Sequence, residues 1–391
     1  MTTADSTPAA GPPIRCVHVI VPEPEGSVGG ADMHVRDLAA AQLRHGVSLP
    51  VVFETLSRSF ADCVRDTGVE CRSLAGHRRR AILPALRRLI VDRGIDVVHC
   101  HGYDATWWSV ATLATLRDRP KLIVTCHGWI KTKPKLKLMS ALDRTANRRA
   151  AGVIVVSDEL IATALDGSRR AKVFALVPNA IPLRAVRTEP TARRQWGLPL
   201  NRFLVGAMGR LALEKRHDIF VEACRLIAPQ RSDVHFVLAG GGPLRAALTK
   251  QVAAAGLTDR FHLLGVVDDP EALLSELAVV VQPSDTETTS RVVLEAMMQA
   301  RPVVATDVGG TETLVQHGVD GVLVPPGSSH LIATEVLSLL AAPEVAAHLG
   351  ERARQTATTR FDSGAMAAAV DDVYGAVLGR GSILHSTWLR K

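Results

Sequence analysis

The amino-acid sequence predicts an α/β protein made of two consecutive doubly wound units, each a parallel sheet covered by helices on both faces. The candidate strands are continuous apolar runs rich in Val and Ile, a pattern typical of parallel strands buried on both faces. Helical stretches separate these runs in both halves of the chain. A chain of 391 residues, 47% of them hydrophobic, is also long for one average domain and suits two.

The first half begins with a strand predicted at 15–21, a glycine-rich turn at 26–30 and a helix over 31–44. Residues 1–13 are polar and rich in Pro and Ala, without the basic start or apolar core of a secretion signal. We therefore expect a disordered tail there, a cytoplasmic protein, and a first domain over 14–185. Further strands of this domain are predicted at 49–54, 96–100, 121–126, 152–157 and 173–177.

A polar stretch with three prolines, 182–201, marks the expected domain boundary. The second domain is expected over 186–362. Residues 363–378 carry one apolar helical stripe, so 363–391 are predicted to form a helix and tail that pack back on the first domain. The strands of the second domain are predicted at 203–208, 234–239, 261–264, 278–282 and 302–306.

Charge is shared unevenly between the two halves. Residues 1–200 hold 29 Lys and Arg against 18 Asp and Glu, whereas residues 201–391 hold 17 against 21. Two basic patches, 77–88 and 131–149, leave two interpretations open: peripheral contact with an anionic membrane surface, or solvated helix faces. An aromatic content of 4% argues against base stacking, so no nucleic-acid partner is expected. The six cysteines form no C-x-x-C pair, which fits reduced thiols.

The most informative stretch is 283–297, which follows a predicted strand, crosses a polar loop and enters a helix. Glu287 lies in the loop and Glu295 lies just over one turn inside the helix, so both can face one pocket. A carboxylate accepts hydrogen bonds from vicinal hydroxyls, as in a ribose or hexose. Free N–H groups at the helix start suit a diphosphate. For an isolated pair of glutamates, chance spacing would be the better explanation.

Two cations follow another predicted strand end in the second half. Arg210 comes directly after Gly209, and Lys215 lies five residues further on. Fixed cations stabilise a leaving nucleoside diphosphate most strongly in the transition state, when its negative charge grows. No metal ion would then be needed, and the sequence contains no D-x-D motif. We therefore expect neither a metal nor another cofactor.

Together these motifs resemble glycosyltransferase family 4, a retaining family with the GT-B fold of two Rossmann-like domains facing each other across a cleft. Glu287 and Glu295 match the family's E-x7-E motif, and 209–211 with Lys215 match its G-R-L…K element. The ordered set covers about residues 15–330 and is more specific than any single motif. Further matches lie at 29–31, 99–102, 125–128, 156–157, 178–179, 308–312 and 317–325.

The resemblance implies transfer of a sugar, with retention, from a nucleoside-diphosphate donor, a UDP-sugar in the first instance. The implied acceptor is lipid-linked or a polysaccharide in surface glycan biosynthesis. Arg210 and Lys215 would hold the donor diphosphate, while Glu295 would bind the ribose and Glu287 the transferred sugar. The candidate catalytic residues are therefore Arg210, Lys215, Glu287 and His127.

The resemblance also implies roles for three residues of the first half. Gly30 would let the first domain approach the donor phosphate. His127 would contact the transferred sugar, and His101 would line the acceptor side. A lone histidine at a strand end is more often structural, so both histidine roles depend on the resemblance.

One position departs from the family pattern. The family usually has glycine after its first motif glutamate, where this chain has Thr288. Backbone amides of Thr288 and Thr289 would contact the sugar and the phosphate. A β-branched residue does not easily take a positive φ, so either the loop follows a different path or the threonine adds a hydroxyl contact. The identity of the donor sugar stays open for this reason.

A doubly wound fold also suits three other functions. A nicotinamide dehydrogenase needs G-x-G-x-x-G after its first strand, and neither 26–30 nor 240–245 has that spacing. A sugar-nucleotide epimerase of similar fold would use the same donor without an acceptor. A non-catalytic nucleotide-sugar-binding protein would bind the donor without turnover. The ordered motifs favour the transferase over both.

Overall fold

The computed structural model describes residues 12–21, 29–54, 57–74, 77, 79–128, 149–168, 173–189, 191–380 and 389–390. Most of the predicted basic patch at 131–149 lies outside these residues, as do residues 1–11 of the tail predicted at 1–13 and most of the glycine-rich turn at 26–30. Residues 381–388 and 391 of the predicted C-terminal helix and tail also lie outside them.

The chain divides into two compact units. The first comprises Met1–Val155, Leu160–Val177 and Met366–Lys391, and the second comprises Val156–Glu159 and Pro178–Ala365. The described parts of each unit contain one mainly parallel sheet with helices, in agreement with the predicted fold class.

The division between the units falls at 177/178, whereas the prolines had suggested 185/186. The segment after Pro178 is hydrogen-bonded within the second unit. The Ile181 N–H donates to the Phe361 carbonyl at 3.0 Å, and the Arg187 N–H donates to Gln299 Oε1 at 2.9 Å. Hydrogen bonds to the second unit therefore begin at Ile181, directly before the proline-containing stretch 182–201.

The first unit has an eight-stranded sheet in the order β14-β7-β6-β5-β4-β1-β2-β3, and only β14 runs antiparallel to its neighbour. All five residues of the central strand β4 are buried, as expected for a strand covered on both faces. The strands are β1 (Ile14–Ile20), β2 (Ser48–Glu54), β3 (Glu70–Ser73), β4 (Val97–His101), β5 (Lys121–Cys126), β6 (Gly152–Val155), β7 (Val173–Leu176) and β14 (Leu389–Arg390).

The described helices of the first unit begin with α1, which follows the glycine loop. The Gly29 N–H donates to Asp32 Oδ2 at 2.7 Å at its start, and Gly46 ends it with a φ of 72°, a conformation that glycine adopts without a Cβ penalty. These helices are α1 (Gly30–His45), α2 (Arg58–Arg65), α3 (Ile82–Arg93), α4 (Tyr103–Ala114), α5 (Glu159–Ser168) and most of α14 (Ser363–Leu378).

The C-terminal helix α14 packs on the sheet of the first unit. Tyr374 on this helix is buried, and its hydroxyl lies 2.7 Å from His99 Nδ1 in β4. Gly152 in β6 leaves space for the helix, because a Cβ there would lie 3.2 Å from Val377 and 3.3 Å from Val373. The predicted apolar stripe is thus used for packing.

The second unit has a six-stranded, all-parallel sheet in the order β10-β9-β8-β11-β12-β13. Its strands are β8 (Phe203–Met208), β9 (Val234–Ala239), β10 (Phe261–Gly265), β11 (Val279–Gln282), β12 (Val303–Thr306) and β13 (Val322–Val324). Its helices are α6 (Thr191–Gln195), α7 (His217–Ile227), α8 (Arg245–Ala254), α9 (Pro270–Ser275), α10 (Arg291–Met298), α11 (Thr311–Leu314), α12 (Ser329–Ala341) and α13 (Pro343–Arg360).

Among the described helices, none is by itself both long enough and apolar enough to cross a membrane. The pair α12 and α13 reaches the required length and composition only when taken together, and the two helices are bent by 106° at their junction.

Candidate active site

In the second unit, Glu287 is held by three donors at the carboxyl end of β11. Its Oε1 accepts from Lys215 Nζ at 2.6 Å and from Ser284 Oγ at 2.8 Å, and it also accepts from Gln282 Nε2. Glu287, Ser284 and Gln282 are buried. A carboxylate with this many donors is fixed in position and offers its remaining lone pairs to a ligand hydroxyl.

Lys215 reaches Glu287 from the loop after β8, where 213–215 form a short 3-10 turn. Two links join this loop to the Glu287 loop. The Asp285 N–H donates to the Glu214 carbonyl at 2.9 Å, and Arg216 Nη1 contacts both carboxylate oxygens of Asp285 at 3.0 Å. The sheet places β8 beside β11, so the two loops leave the same edge.

Arg216 has an unusual backbone conformation for a residue with a side chain, with a φ of 47°. Its guanidinium bridges Asp218 and Asp285, which compensates the cost of a left-handed conformation in a non-glycine residue. These two carboxylates raise the pKa of Arg216, so it stays charged. The kink that Arg216 makes between the 3-10 turn and α7 therefore keeps Lys215 at the Glu287 carboxylate.

Arg210 lies at the start of the same loop and pairs with Glu214 at 2.6 Å. Burial raises the pKa of Glu214, but its backbone hydrogen bond and the Arg210 guanidinium outweigh this effect and lower it overall. Glycines make room here, because a Cβ at Gly240 would overlap the Gly209 carbonyl. The glycine run 240–242 thus supports the loop that carries Arg210.

The segment 308–312 packs directly under the Glu287 loop. The Gly310 N–H donates to the Glu287 carbonyl at 2.9 Å, and a Cβ on Gly310 would overlap the Thr288 carbonyl. Thr288 is not among the described non-glycine residues with a positive φ, which are Arg216 and Ala300. The loop therefore accommodates threonine in an ordinary conformation.

The helix α10 carries the second glutamate of the motif. Ser290 caps α10, accepting from the Val293 N–H at 3.4 Å. Glu295 pairs with Arg291 one turn away at 2.7 Å, and both side chains are largely buried. The Thr289 hydroxyl donates to the Val156 carbonyl at 3.1 Å, which ties the loop to a short segment of the same unit.

In the first unit, the two predicted site histidines belong to a larger cluster. His101 at the end of β4 lies with its Nδ1 3.1 Å from Nε2 of His127, which follows β5. Its Nε2 lies 3.0 Å from Nδ1 of His18 in β1. His34 on α1, the helix that Gly30 begins, stacks its ring edge against His127 with centroids 4.7 Å apart.

These histidines are the described residues of the first unit that could hold a metal ion. Ring nitrogens of His34, His101 and His127 lie within 4.8 Å of one another, as do those of His18, His99 and His101. However, both nitrogens of His99 are within 2.7 Å of a hydroxyl, and both nitrogens of His101 contact a neighbouring imidazole. The observed arrangement is that of a hydrogen-bonded chain.

Comparison with known proteins identifies the family. The family profile described as "Glycosyl transferases group 1" matches residues 188–356, and the one described as "Glycosyltransferase Family 4" matches residues 28–185. The alpha-D-kanosaminyltransferase of Streptomyces kanamyceticus is 32% identical over 314 residues, covering 75% of this chain and 80% of that protein. This chain belongs to glycosyltransferase family 4. The predicted enzyme class, a glycosyltransferase, is confirmed.

Two further similarities extend over nearly the whole glycosyltransferase. The lipopolysaccharide core biosynthesis mannosyltransferase of Rhizobium leguminosarum bv. viciae is 27% identical over 389 residues, covering 94% of this chain and 99% of that protein. The crystal structure of Anabaena HepE in complex with UDP-glucose matches with a TM-score of 0.80 at 21% identity, covering 93% of this chain and 100% of that one. This structural likeness confirms the GT-B fold.

The structure of this glycosyltransferase joins some of the predicted site residues directly. Lys215 contacts Glu287, and Arg210 reaches the same loop through Glu214. Sequence patterns gave only a weak signal for the residues that hold Glu287, because Gln282 and Ser284 are simply polar residues that close an apolar run. In the first unit, no local pattern pointed to His18, which contacts His101.

The buried histidines of the glycosyltransferase predict acid instability. Burial lowers the pKa of His18 to about 4 from an ordinary value of 6.5. Between these two pH values the unfolded chain binds a proton at His18, whereas the folded chain does not. Stability is therefore lost as the pH falls from 6.5 towards 4, by about 3 kcal/mol for His18 alone. Burial raises the pKa of Asp371 to about 6, so this carboxylate has the opposite effect and stabilises the folded protein as the pH falls. It is one group against several buried histidines.

We expect the Tm measured by differential scanning fluorimetry to fall steeply between pH 6.5 and pH 4.5. His18→Gln should flatten this fall, whereas His330→Gln, a change on the surface of α12 in the second unit, should leave it unchanged. A Tm that stays constant over this range would contradict the buried neutral histidines.

Proposed function

We propose that this glycosyltransferase moves a sugar, with retention and without a metal ion, from a nucleoside-diphosphate donor to a lipid-linked or polysaccharide acceptor in surface glycan biosynthesis. A UDP-sugar is the proposed donor. The observation that carries this proposal is the contact between the Lys215 ammonium and the Glu287 carboxylate, which brings a fixed cation beside a fixed carboxylate. Two similarities support the proposal: one to a mannosyltransferase of lipopolysaccharide core biosynthesis, and one to a protein whose crystal structure contains UDP-glucose.

In this mechanism, Lys215 and Arg210 bind the donor diphosphate. Glu287 keeps its hydrogen bonds from Ser284 and Gln282 when Lys215 turns to the phosphate, so it remains fixed to bind the transferred sugar. The bond between the anomeric carbon and the diphosphate oxygen breaks. The acceptor hydroxyl bonds to the same face of the sugar, and its proton passes to the leaving diphosphate. The two cations stabilise the charge that develops there.

The remaining residues are proposed to position the donor. Glu295, already oriented by Arg291, accepts from the ribose hydroxyls. Backbone N–H groups of Thr288 and Thr289 contact the sugar and the phosphate. The first unit contributes Gly30 towards the phosphate.

Two histidines complete the proposed roles of the first unit. His127 contacts the transferred sugar, and His101 lies on the acceptor side.

The donor test is a panel of nucleotide sugars screened for thermal stabilisation and for slow release of nucleoside diphosphate. One UDP-sugar is expected to raise the Tm and to be hydrolysed at a rate that EDTA does not change. Loss of hydrolysis in EDTA, restored by Mg²⁺, would contradict the metal-independent mechanism. Binding without turnover under every acceptor tried would instead support a non-catalytic nucleotide-sugar-binding protein.

The acceptor and the stereochemistry need separate measurements. With the donor identified, lipid-linked and soluble glycan acceptors are compared, and the anomeric configuration of the product is read by NMR. An inverted product would refute the retaining mechanism. We further propose peripheral contact of the enzyme with the anionic inner face of the membrane. Co-sedimentation with anionic vesicles, compared with neutral ones, tests the lipid contact.

A further inference from the structure

A pocket rich in arginine lies in the second unit, at the edge of the sheet opposite the Glu287 loop. This arginine pocket has a volume of about 420 Å³, and arginines and glutamates form most of its wall. Arg301 lies two residues before β12 and Glu276 three residues before β11, whereas Glu287 follows β11. Because the strands are parallel, residues before them and residues after them lie at opposite edges of the sheet. The arginine pocket is therefore separate from the candidate active site.

Two of the three arginines in the wall of the arginine pocket are paired with carboxylates. Arg187 Nη1 donates to Asp269 Oδ2 at 2.7 Å. Arg193 Nε lies 2.9 Å from Glu276 Oε2, and the Arg193 backbone N–H donates to Glu276 Oε1 at 3.1 Å. Arg193 Nη1 also donates to the Arg202 carbonyl at 2.9 Å. The charges of these two arginines are thus used within the unit to hold the wall together.

The third arginine, Arg301, forms no ion pair or side-chain hydrogen bond within the part of the chain that the structure describes. Its Nε is buried and without a hydrogen-bond acceptor. Burial lowers the pKa of Arg301, and the attraction of the Glu276 carboxylate only partly offsets this effect. A guanidinium has five N–H donors, and a desolvated charge without a hydrogen-bonded partner is costly. Arg301 therefore offers unused donors and an uncompensated positive charge to the pocket.

Close packing sets the position of Arg301. Its backbone N–H donates to the Ala296 carbonyl at 3.0 Å, which closes the end of α10. The preceding residue, Ala300, takes a left-handed conformation with a φ of 54°. Gly350 on α13 packs directly on this turn, because a Cβ there would overlap the Ala300 carbonyl. The turn that carries Arg301 is therefore held between α10 and α13.

An apolar pocket of about 330 Å³ adjoins the arginine pocket and shares Arg301 and Val186 with it. Much of its wall consists of apolar residues of α12 and α13, namely Leu339, Leu340, Pro343, Ala346 and Ala347. A molecule bound to Arg301 thus has polar surroundings on one side and apolar surroundings on the other. Burial of an apolar group there adds affinity that a bare inorganic anion does not gain.

We propose that the arginine pocket and the apolar pocket together bind a small amphipathic anion, a phosphate or carboxylate joined to an apolar group. The anionic oxygens accept from the Arg301 guanidinium, and the apolar group packs against α12 and α13. A planar guanidinium suits both kinds of anion, because it can donate to two oxygens at once. This site goes beyond the proposed transfer reaction, since it lies at the other edge of the sheet from Glu287.

Hexyl phosphate is the probe for this site, and inorganic phosphate and glucose 6-phosphate are its controls. In isothermal titration calorimetry we expect hexyl phosphate to bind at least about tenfold more tightly than either control, which is the gain from burying about two methylene groups. An excess of UDP should not displace it. The proposal is overturned if hexyl phosphate does not bind, if UDP displaces it, or if glucose 6-phosphate binds equally well. None of these results depends on transferase activity.

Arg301→Met tests the role of the guanidinium itself, because it puts an apolar side chain in the same place. The affinity for hexyl phosphate should fall at least about tenfold. The Tm without ligand should equal that of the wild type or rise, since an unpaired buried charge is removed. Unchanged affinity would overturn the role of Arg301, and so would a marked fall in Tm, which would assign the guanidinium to the stability of the unit.

Two control variants should keep the wild-type affinity for hexyl phosphate. Arg225→Met removes an exposed arginine on α7 that pairs with Glu222. Lys215→Ala changes the candidate active site at the other edge of the sheet. A loss of affinity in Lys215→Ala equal to that in Arg301→Met would place the anion in the active site and overturn the proposal.

Vesicles distinguish a free ligand from a membrane lipid as the source of the anion. Co-sedimentation with vesicles containing phosphatidic acid, compared with neutral vesicles, is measured for the wild type and Arg301→Met. If hexyl phosphate binds, sedimentation that is lost in Arg301→Met supports the site and assigns it to a lipid phosphate. Equal sedimentation of the two proteins supports the site and assigns it to a free ligand.

Discussion

Lys215→Ala is expected to lower the turnover of the glycosyltransferase by about a hundredfold or more, which is the usual cost of removing a group that stabilises transition-state charge. Lys215 lies in a partly buried position, with a quarter of its side chain exposed and its ammonium 2.6 Å from Glu287. Its charge is therefore less screened than that of a surface lysine, and it acts on the diphosphate oxygen that becomes more negative as the glycosidic bond breaks. The measurement is kcat for UDP release from the identified donor.

Two further variants separate this effect from a loss of stability. Lys215→Ala leaves the buried Glu287 carboxylate with one donor fewer, so some fall in Tm is expected. The double variant Lys215→Ala/Glu287→Gln removes that uncompensated charge and should recover Tm. Its turnover is not compared, because Glu287 is itself a candidate catalytic residue, and kcat of Lys215→Ala is instead measured well below the Tm of that variant. Lys250→Ala, on the exposed face of α8, is the matched surface control and should retain full activity. Near-normal kcat in Lys215→Ala would refute its role.

The sequence predicted the sheets well where strands are buried. The observed bounds of β5, β8 and β9 are those predicted, because each strand is a short, mainly apolar run with a polar residue or glycine directly after it. The strands it missed, β3, β13 and β14, lie at sheet edges. The sequence of β3, Glu-Cys-Arg-Ser, has no apolar run, since an edge strand is only partly covered.

The candidate site was predictable only in part, because residues that contact each other there are far apart in the sequence. Lys215 and Glu287 are 72 residues apart, and it was the order of motifs that suggested their common pocket. No ordered set of motifs indicated the hydrogen-bonded chain of histidines in the first unit. Gln42 and Asp371 are separated by 329 residues and form a hydrogen bond because α14 packs on the sheet of the first unit. The sequence pattern predicts the apolar stripe of α14, but it does not indicate which polar residue of this helix contacts the first unit. Long-range polar pairing leaves no periodic signal.

Gly310→Ala is expected to disorder the Glu287 loop and to reduce donor-dependent UDP release at least as strongly as Lys215→Ala. The φ of Gly310 is −77°, a value that alanine adopts freely, so the backbone itself is not strained. The added Cβ, however, would overlap the carbonyl oxygen of Thr288, which is backbone and cannot rotate away. The loop has to move, and overpacking of this kind typically costs about 1–3 kcal/mol.

The matched control for this collision is Gly241→Ala. Gly241 also lacks a positive φ, but its new Cβ would meet only the side chain of Val266 at 3.0 Å, and Val266 is 66% exposed and able to shift. Thermal unfolding and UDP release are measured for both variants. If Gly310→Ala kept the activity of Gly241→Ala, the 308–312 segment would not be the support that holds Glu287. The carboxylate would then owe its position to Lys215, Ser284 and Gln282 alone.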